Sequence, residues 1–97
     1  MPKYVVLMNW TDQGSTTASE TVNRYKAAND DLKQRGVTIT DIYWTAGPYD
    51  IVTVVEAADD ETAMAGLLRL ASAGNLRTTT MRAFSADEVQ SVIDRSR

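Results

Sequence analysis

Tyr49 and Asp50 leave the turn Gly47-Pro48 side by side within "YWTAGPYDIVTVVEA", so a phenol and a carboxylate enter an otherwise aliphatic run. Such a pair suits proton transfer, the phenol as donor or relay and the carboxylate as base. Successive strand residues face opposite sides, so both reach one pocket only if the turn twists them there. The structural alternative has Asp50 accepting from backbone amides of the neighbouring "TDQG" and Tyr49 packing with its hydroxyl in water. Two further stretches hold groups of the same kind: Trp10 and Asp12 in "NWTDQG", and Asn75 and Arg77 in "GNLRTTT". Arg77 could bind a substrate carboxylate through a bidentate fork, or pair with Asp12 across the end of the sheet. Asn75 follows Gly74 and could equally serve the turn that ends a helix. Trp10, Tyr43, Trp44 and Met8 are the large side chains near these groups, and Trp10 or Trp44 would make an ordinary interface anchor.

The chain has no cysteine and no histidine. That removes thiolate nucleophiles, Ser-His triads, Cys/His zinc sites and His-ligated haem. Proton transfer falls to Asp, Glu, Lys or Tyr, and no metal or cofactor is expected. The acidic run "EAADDE" sits where a helix begins and its carboxylates favour the helix dipole, so it is read as a helix start rather than a cation site. "GSTT" likewise precedes a helix but lacks the lysine of a phosphate-binding loop. With 10 Lys and Arg against 13 Asp and Glu and a net charge of -3, no basic field exists to engage nucleic acid. No stretch is long and apolar enough for a membrane span, and a cytoplasmic location is expected.

The elements that must position these groups follow from periodicity. "KYVVLMNW" reads as a strand, and Val22, Tyr25, Ala28 and Leu32 recur at helical spacing after it. Thr17 with Glu20 fits a capping box for that helix, and Gly36 its stop. "VTITDIYWT" and "DIVTVVEA" form a hairpin through Ala46-Gly47-Pro48. Asp59 or Asp60 caps a helix with a stripe of Met64, Leu67, Leu68 and Ala71, which Gly74 ends. "LRTTTMRAF" is a fourth strand, and a Ser85–Glu88 capping box opens a tail helix with Val89, Val92 and Ile93 on one side.

The order β-α-β-β-α-β plus a tail helix, all in one domain over residues 1–97, predicts an α+β, ferredoxin-like antiparallel four-stranded sheet with both main helices on one face. The first and third strands are apolar on both sides, so both sheet faces require cover. The helices cover one. A second copy of the chain, or the tail helix folding back, covers the other. In this topology "NWTDQG", "GPYD" and "GNLRTTT" arrive at the same edge of the sheet, the arrangement a small-ligand cleft needs.

Over essentially its whole length the chain resembles the GYD-domain family, through "VLMNWTDQG", "GPYDIVTVVEAADDE" and "AGNLRTTTMRAF". The resemblance implies a domain of the dimeric α/β-barrel type, found mostly in prokaryotes, without an established activity or accepted catalytic residues. Three functional readings follow. The first is a non-catalytic homo-oligomeric domain that binds a small molecule or regulates. The second is a cofactor-independent enzyme, oxygenase- or isomerase-like, acting on a small aromatic or keto compound with Tyr49 and Asp50 moving protons. The third is a structural assembly module.

Overall fold

Side chains alternate across each strand, and the register of the sheet shows which of them share a face. The computed structural model describes residues 1–97. Its elements are β1 (Lys3–Trp10), α1 (Asp12–Thr16), α2 (Thr21–Gln34), β2 (Val37–Trp44), β3 (Ile51–Ala57), α3 (Asp60–Ser72), β4 (Leu76–Ala83) and α4 (Ala86–Arg95), with a 3-10 turn at Ala18–Glu20. The strands pair antiparallel in the order β2-β3-β1-β4. This is the expected ferredoxin-like α+β fold, with β1 and β3 central.

One face carries Tyr4, Val6 and Met8 of β1 with Ile51, Val55 and Ala57 of β3, all buried against Leu32 of α2 and Ala63 and Leu67 of α3. The polar group buried among them, Thr53, satisfies its hydroxyl by donating to the carbonyl of Val6. α2 rests on β2, and α3 on β3 and β4. The stripe expected on α3 is shifted: Ala63, Gly66 and Leu67 are buried, whereas Met64 and Leu68 are exposed. The reason is close packing. A Cβ on Gly66 would lie 2.9 Å from Val37 Cγ2 and 3.1 Å from Leu32 Cδ2, so small residues face the sheet.

Helix ends follow the sequence in four places and depart from it in one. The Asp59 carboxylate accepts from the Thr62 amide at 2.8 Å, and Ser85 with Glu88 forms a complete capping box. Gly36 and Gly74 take φ of 85° and 82°, the left-handed values that end a helix. The Thr17–Glu20 capping box does not form. Thr17 instead accepts the Glu20 amide on its own carbonyl, and its hydroxyl oxygen accepts from the Arg24 guanidinium at 2.7 Å. Within "TDQGSTT", Thr11 caps the short helix α1 by accepting from the Gly14 amide.

At the end of the sheet away from the convergent loops, the Tyr4 hydroxyl donates to Asp60 in the first turn of α3. That bond holds the phenol above its usual pKa, since ionisation would set two anions in contact. A group with a raised folded pKa adds stability that is present below its unfolded value, near pH 10, and lost as pH rises through the folded one. Wild-type protein therefore loses stability in this alkaline window, and Tyr4→Phe does not show that added loss. Urea midpoints measured on either side of pH 10 check this.

The second sheet face is open. Leu7 stands opposite Val52 and Thr79, and Val5 opposite Val54 and Met81, with Tyr43 beside Val52. α4 does not fold back over them. Its Val89, Val92 and Ile93 are themselves 41%, 52% and 41% exposed. The radius of gyration of 14.6 Å exceeds the roughly 12.5 Å expected for a compact chain of this length, because α4 projects from the body.

Candidate functional site

The three convergent stretches meet at the end of β1. The Asp50 amide donates to the Met8 carbonyl at 2.9 Å, and the Asp50 carboxylate accepts the Trp10 amide at 3.0 Å. The side chain thus carries the β1–β3 ladder one step past the strand. Across the turn, the Thr45 amide donates to the Asp50 carbonyl, and the Thr45 hydroxyl to that of Tyr49. Asp50 is thereby tied into the backbone. Removing its acceptor leaves a part-buried amide unpaired, so Asp50→Ala is expected to cost about 1–2 kcal/mol and Asp50→Asn, whose oxygen still accepts, clearly less. Chemical denaturation of the two variants measures the difference.

α1 is stapled to the turn before β4. The Thr11 amide donates to the Asn75 carbonyl at 3.1 Å, and the Thr11 hydroxyl to the Gly74 carbonyl at 2.6 Å. Gln13 Nε2 donates to the Ala73 carbonyl and to Asn75 Oδ1, at 3.1 and 3.2 Å. Gly14 makes the approach possible. A Cβ there would lie 2.1 Å from the Asn75 carbonyl oxygen.

Trp10, Asp50 and Asn75 are therefore brought together. Asp12 and Arg77 are not: Asp12 is exposed in the first turn of α1, and Arg77 is exposed opposite Asn9 on the open face, with no ion pair between them. Tyr49 is half-buried in the hairpin turn.

On the helix side of the sheet this convergence forms one end of a cavity of about 260 Å³. Its walls are mainly apolar, among them Met8, Ile39, Ile42, Ile51, Leu67 and Leu70. The polar groups come from Trp10, Thr21, Arg24, Thr53 and Asn75. The Trp10 indole N–H is buried and has no hydrogen-bond partner. Arg24, half-buried on α2, donates to the carbonyls of Thr17 and Gly14 at 2.8 and 3.3 Å but faces no carboxylate within ion-pair distance. Arg24 was not singled out by the sequence. It lies among Asn23 and Lys26 on a polar-looking stretch, and only folding brings Gly14 and Thr17 to it. No three His, Cys, Asp or Glu residues are placed to hold a metal ion, and no helix is long and apolar enough to cross a membrane.

Comparisons with known proteins bear on the family and the fold. A protein of Thermus thermophilus named glutamine synthetase and cystathionine beta-lyase binding protein is 40% identical over 84 residues, covering 86% of this chain and 88% of that protein. A crystal structure of a Thermus thermophilus protein is 26% identical, with a TM-score of 0.52 over 89% of this chain and 96% of that one. An FFRP crystal structure matches at a TM-score of 0.60 and 16% identity, over 87% of this chain and all of that one. MtbAldR matches at 0.66 and 15% identity, over 87% of this chain and 53% of its own; these two show the fold alone. The GYD domain family matches residues 4–93, and the chain belongs to that family.

Proposed function

We propose that this protein is a non-catalytic, homo-oligomeric binding or regulatory module, whose open sheet face pairs with the same face of a second copy in the dimeric α/β-barrel manner. The observation that carries the reading is the uncovered centre of that face, with Val5, Leu7, Val52, Val54 and Met81 contiguous across three strands. Apolar faces of several hundred Å² are unusual on monomers. Burying ~400 Å² on each of two copies at about 25 cal/mol per Å² is worth on the order of 20 kcal/mol gross, enough to exceed most association costs. The projecting α4 leaves a second apolar strip that the same partner can cover. The name of the Thermus thermophilus relative, a binding protein, supports a binding role over an enzymatic one. So does the engagement of Asp50, whose carboxylate already accepts the Trp10 amide. Native mass spectrometry of protein purified from its own cells tests the proposal. A homo-oligomer, with or without a small molecule released on denaturation, is the expected result; a monomer overturns it.

A further inference from the structure

We infer that the cavity between the sheet and helices α2 and α3 binds a small hydrophobic carboxylate, its apolar body among the aliphatic walls and its carboxylate held by Trp10 Nε1 and the Arg24 guanidinium. The inference rests on reading the protein as a binding module and adds the site and the class of molecule.

Three observations converge on this chemistry. The cavity of about 260 Å³ falls just under the roughly 300–1,000 Å³ of sites for drug-sized ligands, which suits a fragment-sized molecule. Its walls come mainly from aliphatic side chains on both helices and the sheet, so most of the occupant must be apolar. The Trp10 indole N–H is buried without a partner, although an indole donor normally finds one when buried. An acceptor supplied by the occupant satisfies it.

The charge of that acceptor follows from Arg24. Arg24 contributes to the cavity lining, and its guanidinium donates only to neutral oxygens of Gly14 and Thr17 and has no carboxylate partner in the chain. Those bonds use three of its five N–H donors, leaving two for a ligand. Arg24 reaches the same end of the cavity as Trp10, because Gly14 belongs to α1, which directly follows β1. Asn75, held by Thr11 and Gln13, closes that end. One donor without a partner and one uncompensated cation at the polar end of an apolar cavity match an anionic head on an apolar body. A neutral apolar molecule would leave both unanswered.

The test uses 3-phenylpropionate and its uncharged counterpart 3-phenylpropionamide, titrated into ¹⁵N-labelled full-length protein while the two indole N–H resonances are followed. Trp44→Phe assigns them, because Trp44 Nε1 already donates to Thr21 Oγ1 at 2.9 Å. The carboxylate is expected to move the Trp10 resonance saturably, and the amide to bind about tenfold more weakly. Arg24→Gln should remove that preference by weakening the carboxylate about tenfold and leaving the amide unchanged. Ala28→Leu, which fills the cavity from α2, should abolish both.

A Trp10 resonance that moves with neither compound overturns the inference. So does an Arg24→Gln variant that weakens both compounds equally, the signature of a purely structural arginine. If Ala28→Leu fails to fold, the carboxylate-to-amide ratio in Arg24→Gln still decides. Sedimentation of the same samples separates the two claims: an intact oligomer with an unmoved Trp10 refutes the ligand site alone, and a monomer refutes the assembly.

Discussion

Gly14→Ala is expected to destabilise the protein by about 3 kcal/mol or more, at the upper end of overpacking costs. The added methyl would sit 2.1 Å from the Asn75 carbonyl oxygen and 3.0 Å from its carbon, and both are backbone atoms that no rotamer change can move aside. To make room, α1 must lift from the turn ahead of β4. Lifting it strains the bonds from Thr11 to Asn75 and Gly74 and from Gln13 to Ala73. The turn itself has little freedom, because Gly74 holds a φ of 82° there. For a domain of this size the loss corresponds to a fall in Tm of roughly 12 °C or more. Urea denaturation should show a lower midpoint with an unchanged slope, since the folded and unfolded surfaces stay the same. A variant as stable as wild type would mean that α1 does not dock on this turn.

Much of this architecture was legible in the residues, for reasons that also explain the remainder. Two-sided apolar strands identified β1 and β3 as central, and Ser85 with Glu88 formed the capping box their spacing specified. Local signals of this kind depend on neighbours a few positions apart. The short helix α1 carries no apolar periodicity; its cap, Thr11, and its docking partner, Asn75, lie 64 residues apart, so nothing local announced it. Thr17 and Glu20 had capping-box spacing, but the chain turns there and the Thr17 oxygens serve Glu20 and Arg24 instead. On α3 the bulky Met64 and Leu68 suggested the buried side, whereas close approach to Val37 and Leu32 selected Ala63 and Gly66.

The convergence of three loops was readable from topology, but which side chains share it was not. Trp10, Asp50 and Asn75 gather at the end of β1. Arg77 stands on the opposite sheet face because strand alternation puts it level with Asn9. Arg24 enters the site through tertiary bonds to Gly14 and Thr17 that no spacing rule encodes. Gly47 remains without a structural reason inside one copy of the chain, since a Cβ there meets open space.

Leu7→Asp is expected to weaken self-association by about a thousandfold or more while leaving the fold intact. Leu7 lies on the central strand of the open face, opposite Val52 and Thr79. In a symmetric face-to-face pair the same residue is buried twice, so one substitution places two unpaired carboxylates in an apolar interface. An unpaired buried charge costs several kcal/mol, and a few such units suffice for the expected change in affinity. Within one copy the substitution faces solvent and leaves the helix-side core of Tyr4, Val6 and Met8 untouched. The monomer should therefore keep its far-ultraviolet circular dichroism and lose only about 1 kcal/mol of strand preference.

The pairing of open sheet faces is the central claim, and sedimentation velocity of wild type beside Leu7→Asp, from micromolar to tenths of a millimolar, tests it most directly. The account predicts a wild-type oligomer that persists on dilution and a folded Leu7→Asp monomer throughout. A wild-type monomer at the highest concentration, or an oligomer that Leu7→Asp leaves undisturbed, would contradict it.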